Sequence, residues 1–255
     1  MKWRMLCLDC SWTGSGSWFR GRRCGRCGVR SICGRCCVEI ISMGSVVFSP
    51  FDMGFLQEGI RRCVIWIFGH SFIHWAEKRA QLRLGGRFLG LDGNLVSVRW
   101  LGYRGLKWEA VRAKLRMAIE RWGAPDVLLI HAGGNDIGSF PMRQLIKAMK
   151  RDVLWLMSEY PDVLLIWSEM VRRERWRNAV SVAALNRSRM KINKCFGKCI
   201  RLNGGLVVRH GLLEADRSYT GKDGVHLTDL GLDVFNYGLS EVVGFGWRVW
   251  RCTAS

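Results

Sequence analysis

Four separate stretches of the sequence carry residue types that together suit acyl transfer. Ser71, Gly105 and Asn135 each follow an apolar stretch, and Asp223 and His226 lie three residues apart near the end of the chain. Acyl transfer from an ester requires a hydroxyl nucleophile, a base for its proton, a carboxylate that orients the base and donors for the oxyanion. The five residues supply each of these groups.

The chemistry of each residue type limits the role that it can have in this reaction. A serine hydroxyl does not ionise usefully near neutral pH, so a histidine must act as its base. Asp223 precedes His226 by three residues just before a predicted helix, a spacing that can place both side chains on one side of a turn. The Asn135 amide can donate to an oxyanion without titrating. Each residue alone has an ordinary interpretation as a turn, a cap or a structural histidine, and only their joint occurrence favours a site.

The elements that must position these residues alternate between strands and helices. The apolar stretch 63–68 runs directly into Gly69 and Ser71, as a buried parallel strand does when it ends in a tight turn. Alternation with short connections predicts an α/β fold, a doubly wound, mostly parallel five-stranded sheet flanked by helices. In such sheets ligands bind at the carboxyl edge, where all four stretches would meet. The predicted strands are 63–68, 95–101, 127–131, 163–167 and 206–208, and the predicted helices are 72–84, 108–122, a helix carrying 145–157, 176–196 and 228–242.

The first 55 residues differ in composition from the rest, and we divide the chain into this extension and a domain at 56–250. Seven of the eleven cysteines lie within the first 37 residues, and no helical or strand period is visible there. Two Cys-x-x-Cys pairs are spaced as in four-thiolate zinc sites. A zinc appendage is therefore one interpretation, but we favour a poorly ordered extension with chance pairs, because no flanking pattern would build the hairpins of a zinc ribbon. The candidate ligands are Cys7, Cys10, Cys24 and Cys27.

The charge of the chain favours contact with polyanions. The formal net charge is +19, and segment 171–201 carries ten Lys or Arg against Glu174 alone. This segment is interleaved with Trp167 and Trp176, which we expect to offer stacking surfaces to a nucleic acid. The alternative is a solvated face. The amino terminus has no secretory signal and no segment approaches the ~20 apolar residues of a membrane span, so we expect an intracellular protein, cytoplasmic or nuclear.

The four stretches, in this order, resemble those of the SGNH, or GDSL, hydrolase superfamily over roughly residues 60–243. The more specific parts are Gly-Gly-Asn-Asp after a strand and Asp-x-x-His near the end. More narrowly, the strings GHSFI, WLGYRGLKW, WSEM and DGVHLT resemble a branch that is common in fish and amphibian genomes and is often associated with retrotransposons. The matching blocks are Gly69-His70-Ser71, Gly105, Gly133-Gly134-Asn135-Asp136 and Asp223-Gly224-Val225-His226.

This resemblance implies a flavodoxin-like three-layer sandwich and a role for each residue. Ser71 would be the nucleophile, His226 the base and Asp223 its orienting acid. The backbone N–H groups of Ser71 and Gly105 and the Asn135 side chain would form the oxyanion hole. The sequence departs from the family at one point, because a histidine, His70, stands where the family has aspartate and brings a ring that can carry charge next to the nucleophile.

Two functions from different classes therefore follow from the sequence. The first is a serine esterase that acts through an acyl-enzyme on a small-molecule, lipid or sugar ester, without a cofactor. The second is a nucleic-acid-binding accessory protein of a mobile element, with a weak or inactive hydrolase fold. The remaining histidines show no metal-ligand spacing with Asp or Glu, and we expect His131, at the end of the third strand, to pack in the interior.

Overall fold

The computed structural model describes residues 61–176 and 181–254. The division at residue 55 and the candidate zinc ligands Cys7, Cys10, Cys24 and Cys27 lie outside the described residues. Within them, the chain alternates between strands and helices from its first strand to its last helix.

The centre of the fold is a five-stranded sheet in which every pairing is parallel. The strand order is β2-β1-β3-β4-β5, so the chain winds first to one side of β1 and then to the other. This confirms the predicted α/β fold, and the sheet is wholly rather than mostly parallel. The strands are β1 Cys63–Gly69, β2 Val96–Gly102, β3 Val127–His131, β4 Leu164–Ser168 and β5 Leu206–Val208.

Helices cover both faces of the sheet, which explains why the strands are nearly continuous in apolar residues. Trp66 and Phe68 belong to the core beneath α2, α3 and α4, whereas the alternate residues Ile65 and Ile67 belong to the core beneath α1 and α6. No helix in the described parts of the chain is long and apolar enough to cross a membrane. The helices are α1 Ser71–Ala80, α2 Val111–Trp122, α3 Met142–Glu159, α4 Val182–Leu202, α5 Gly211–Ala215 and α6 Asp229–Ala254.

Several helices differ from their predicted bounds: α1 ends at Ala80 rather than at 84, α2 begins at Val111 rather than at 108, and α4 ends at Leu202 rather than at 196. The helix α4 begins at Val182 rather than at 176, since Ser181 caps it by accepting a hydrogen bond from the Ala184 N–H. The helix α6 continues twelve residues past the predicted end at 242. Gly246 allows this extra length to lie close to the sheet, because a Cβ there would come within 2.9 Å of the Ile166 side chain.

The basic segment 171–201 is not one uniform surface. Trp167 and Trp176, which we expected to offer stacking surfaces, are buried in the core beneath α4. That prediction is wrong, because residue 167 belongs to a central strand and residue 176 packs against the same core. Arg173 and Arg189 are also buried, and only part of the segment's charge faces solvent.

Candidate active site

The carboxyl ends of β1, β2 and β3 meet at one edge of the sheet and bring three of the predicted residues there. The last residue of β1, Gly69, lies opposite both Gly102 of β2 and His131 of β3. A Cβ at residue 69 would overlap the His131 carbonyl, so only glycine permits this close approach of the strands. Ser71 is the first residue of α1, and Asn135 follows β3 by four residues.

A relay of hydrogen bonds joins Asp223, His226 and Ser71. His226 Nε2 lies 3.1 Å from Ser71 Oγ, and His226 Nδ1 lies 2.6 Å from Asp223 Oδ2. The carboxylate cannot donate, so Nδ1 carries the proton and donates to Asp223, which leaves Nε2 as an acceptor for the serine proton. The His226 and Asp223 side chains are 40% and 51% exposed, so the relay is open to solvent on one side.

The Asp223 carboxylate is held ionised by the turn that contains it. Partial burial acts to raise its pKa, but hydrogen bonds from the Val225 N–H, the His226 ring and the His226 N–H outweigh burial and lower the pKa to about 2. Both N–H groups donate to Oδ1 at 2.9 Å, and the ring contacts Oδ2. One carboxylate oxygen therefore shapes the turn and the other orients the histidine.

His70 caps the helix that carries Ser71. Its Nδ1 accepts a hydrogen bond of 3.3 Å from the Phe72 N–H, the position at which a capping carboxylate oxygen would accept. Burial, and after it the positive fields of His131, Arg173 and His226, lowers the pKa of His70 well below 6.5. The ring is neutral near neutral pH, so this residue adds no charge next to Ser71.

The Gly105 turn and the Asn135 loop are joined by two hydrogen-bonded links. Asn135 Nδ2 donates to the Leu106 carbonyl at 2.9 Å, and the Trp108 N–H donates to both carboxylate oxygens of Asp136 at 3.0 and 3.1 Å. Gly105 has φ of +75°, a conformation that favours glycine. Its N–H has no acceptor within the described ranges.

Asp136 was not among the predicted site residues. Burial raises the pKa of its carboxyl to about 6, although the Trp108 N–H and Lys107 act to lower it. Asp136 appears in the sequence only as the last residue of Gly-Gly-Asn-Asp, and no local spacing connects it with Trp108, 28 residues earlier. Only the tertiary structure shows that it holds the Gly105 turn beside Asn135.

Arg173 is a second residue that sequence reasoning missed, because it was counted with the basic surface. It is 7% exposed, and its two terminal nitrogens donate to the Gly134 carbonyl at 3.2 Å and to Asn135 Oδ1 at 3.3 Å. Burial lowers the pKa of its guanidinium to about 10, so it remains charged at neutral pH. It forms no ion pair with any residue of the described segments.

A second serine–histidine contact lies deeper in the protein. Ser168 Oγ lies 2.9 Å from His131 Nδ1 and 2.8 Å from His210 Nε2, and all three residues are buried. The rings of His131 and His70 lie next to each other, with centroids 4.8 Å apart. This agrees with the expectation that His131 packs in the interior. No group of His, Cys, Asp and Glu suited to a metal ion occurs in the described parts of the chain.

No protein-family model matches this sequence, and no curated protein matches it either. Several solved structures do match in three dimensions. A lipolytic G-D-S-L family protein from Veillonella parvula gives a TM-score of 0.59 at 14% identity, covering 71% of this chain and 98% of its own. An esterase from Pseudoalteromonas inhibited by monoethylphosphonate gives a TM-score of 0.54 at 12% identity, covering 71% of this chain and 97% of its own.

The lipase/acylhydrolase from Enterococcus faecalis gives a TM-score of 0.52 at 15% identity and covers 71% of this chain and 95% of its own. Identities this low establish similarity of fold. Over 71% of its length the chain therefore has the fold found in these G-D-S-L lipases and acylhydrolases.

Proposed function

We propose that the protein is a serine esterase that hydrolyses carboxylic esters through an acyl-enzyme at Ser71. The observation that carries this proposal is the unbroken relay from Asp223 Oδ2 through His226 to Ser71 Oγ, with contacts of 2.6 and 3.1 Å. Because His226 Nδ1 donates its proton to Asp223, Nε2 next to the hydroxyl is free to accept the Ser71 proton.

Each residue has a defined part in the reaction. Ser71 Oγ attacks the ester carbonyl carbon while His226 Nε2 takes the hydroxyl proton. The resulting imidazolium gives this proton to the departing alcohol oxygen, leaving an ester bond to Ser71. Water then attacks that ester while His226 Nε2 takes its proton. The bond between the acyl carbon and Ser71 Oγ breaks, Oγ takes the proton back from His226, and the acid is released. Asp223 remains ionised throughout and stabilises the imidazolium.

The negative charge that forms on the carbonyl oxygen needs preorganised donors. Asn135 Nδ2 has two hydrogens, of which one is bound to the Leu106 carbonyl and the other is available. The Gly105 N–H and the Ser71 N–H, the latter at the first residue of α1, are the further donors that we assign to this oxyanion hole. Such donors lower the barrier because they are already oriented before charge develops.

The test is covalent labelling with a fluorophosphonate, alongside hydrolysis of a short-chain nitrophenyl ester. We expect the full-length protein to be labelled and Ser71→Ala to lose both labelling and turnover. Arg116→Met, on the exposed surface of α2, is the matched control and should label as the wild type does. Folded wild-type protein that neither labels nor hydrolyses the ester would contradict the proposal.

A specific surface supports the second candidate function, binding to a nucleic acid. The outward face of α4 carries five exposed basic residues spaced by four and three positions, and α4 contains no acidic residue. We call this row the α4 basic stripe. Its members are Arg187, Lys191, Lys194, Lys198 and Arg201.

Such a stripe neutralises phosphates without reading bases, so binding should weaken steeply with salt. A mobile-element accessory protein, as the resemblance predicts, would use this face. Charge reversal of Lys191, Lys194 and Lys198 to Glu should abolish binding of a fluorescent oligonucleotide and reduce its salt dependence, whereas Lys78→Glu on α1 should not. Binding that is absent at low salt, or unaffected by the triple reversal, would contradict this function.

A further inference from the structure

Both polar atoms of the Asn135 side-chain amide form hydrogen bonds, and these bonds fix the orientation of the amide. Its Nδ2 donates to the Leu106 carbonyl at 2.9 Å, and its Oδ1 accepts from Arg173 Nη2 at 3.3 Å. A flipped amide would place its NH2 group against the guanidinium and its oxygen against a carbonyl oxygen, and both contacts would be repulsive. The unflipped orientation is thus the one that the surroundings permit.

Arg173 is itself placed by the inner face of α4. Asn186 accepts from the Arg173 N–H at 3.3 Å and donates to its carbonyl at 2.8 Å. Asn193, seven positions further along the helix, makes the same two bonds with Met170 at 3.0 and 2.9 Å. Between them, Arg189 donates to the Met170 carbonyl at 2.6 Å. Three inward side chains of one helix therefore hold the segment that carries Arg173.

The same segment also contacts the turn that carries the relay. The N–H groups of Glu174 and Arg175 both donate to the Gly224 carbonyl, at 2.8 and 2.9 Å. The guanidinium of Arg173 packs directly against Gly134, where a Cβ would lie 2.9 Å from Nη2. Arg173 thus lies between the Asn135 loop and the turn of Asp223 and His226, and it is 7% exposed.

A buried arginine without a carboxylate partner is costly to keep, because its charge is removed from water. Here one of the two hydrogen bonds that Arg173 donates goes to the Asn135 amide oxygen, and the other goes to the Gly134 carbonyl of the same loop. We propose that Arg173 is a positioning residue of the oxyanion hole, which orients the Asn135 amide so that its free Nδ2 hydrogen faces the developing oxyanion. This inference rests on the proposed esterase function.

A double-mutant cycle on turnover of the nitrophenyl ester tests the inference. Asn135→Ala should lower kcat by about 10²–10³-fold, as the loss of one oxyanion donor does. Arg173→Met should lower kcat by about tenfold or more with KM nearly unchanged, since it acts on the transition state alone. In the Asn135→Ala background the same change should cost less than about twofold.

Two further variants separate orientation from charge and from folding. Arg173→Lys keeps the charge but cannot donate to both oxygens at once, and it should also lose kcat. Gly134→Ala leaves Arg173 in the chain and pushes its guanidinium aside, so it should reproduce the loss. Equal losses of kcat from Arg173→Met in both backgrounds would overturn the proposal, because the arginine would then not act through Asn135. Full activity of Arg173→Lys would also overturn it, because the arginine would then act through its charge alone.

A readout without turnover keeps the inference separable from the esterase proposal. The side-chain NH2 signals of Asn135 in the nitrogen–proton NMR spectrum, identified by their loss in Asn135→Ala, should be well separated in the wild type. In Arg173→Met they should move towards the positions of a free amide, while Arg116→Met, at an exposed position of α2, leaves them unchanged. Signals unmoved by Arg173→Met would overturn the positioning role, whereas a wild type that shows the shift and fails to label would overturn the esterase alone.

Discussion

In the part of the chain that the structure describes, two serines have hydroxyl groups that contact histidine nitrogens, Ser71 at the start of α1 and Ser168 at the end of β4. The inner serine has the shorter contacts, 2.9 Å to His131 and 2.8 Å to His210, against 3.1 Å between Ser71 and His226. By distance alone, Ser168 would be the better candidate nucleophile. The surroundings of the two serines lead to the opposite choice.

What separates them is a carboxylate and access to solvent. Asp223 lies 2.6 Å from His226 and can stabilise the imidazolium that forms when this ring takes a proton. No carboxylate contacts His131 or His210 among the described residues, and burial lowers the pKa of both rings. A proton placed there would be an uncompensated buried charge. His226 can therefore take a proton from Ser71 and give it up again, whereas His131 and His210 remain neutral.

Exchanging each serine for alanine gives the largest expected contrast. Ser71→Ala should lower kcat by on the order of 10⁶-fold, because the acyl-enzyme route is closed. Ser168→Ala should retain kcat within a few-fold and instead lower the free energy of unfolding by about 1–3 kcal/mol, since two buried rings lose their shared partner. Fluorophosphonate labelling and urea unfolding measure the two effects, and loss of labelling in folded Ser168→Ala would reverse our assignment.

Asp223→Asn tests the carboxylate half of the comparison. An asparagine can still accept the N–H groups of Val225 and His226, so the turn should survive. Its NH2 group, however, would favour the histidine tautomer that has no acceptor facing Ser71. We expect kcat to fall by about 10⁴-fold. A decrease of less than tenfold would mean that His226 does not depend on Asp223 for its orientation.

Because His131 and His210 are buried, we expect the stability of the protein to depend on pH. Burial, followed by the fields of His210 and Arg173, lowers the pKa of His131 well below 6.5, and burial lowers that of His210 to about 3. The unfolded chain thus takes up these protons first, so the free energy of unfolding should decrease as the pH falls below 6.5. The expected decrease is about 1.4 kcal/mol per pH unit for each histidine.

Asp136 acts in the opposite direction, because burial raises the pKa of its carboxyl to about 6 and the folded form takes up its proton first. Urea unfolding at pH 7.5, 6.5 and 5.5 measures the net slope. His210→Phe, which keeps a ring against Phe235, should reduce that slope by the contribution of one proton. An unchanged slope in this variant would show that His210 is not kept neutral by the fold.

The fold was predictable because its signals are local. Apolar strands and the 3.6-residue period of the helices placed all five strands within a residue or so of their observed bounds. The spacing of Asp223 and His226, three residues apart in one turn, likewise predicted a contact that the geometry contains. Gly105 and Asn135 could be assigned to the same edge because parallel strands end together.

The supporting residues could not be predicted, since their partners are distant in sequence. Arg173 contacts Asn135 across 38 positions, and Ser168 contacts His210 across 42. Nothing in the local pattern separates a buried arginine from its exposed neighbours in a basic segment. The Trp167 and Trp176 prediction failed for the same reason, because composition indicates charge and aromatic content but not which side chains face inward.

The smallest expected effect concerns His70, which acts as a hydrogen-bond acceptor at the start of α1. Its neutral Nδ1 accepts from the Phe72 N–H at the start of α1. His70→Asn keeps an acceptor at the cap, and His70→Ala does not. The Asn variant should therefore be more stable to urea than the Ala variant by about 1 kcal/mol.

Equal stabilities of the two variants would mean that packing of the ring, and not the cap, is what this position supplies. If the difference is found, the requirement at residue 70 is for any side chain that accepts a hydrogen bond without bringing an uncompensated charge into the interior. A histidine meets that requirement only while its pKa stays low, as burial ensures here. This would explain how a ring can replace the aspartate of the G-D-S pattern while Ser71 keeps its place at the helix start.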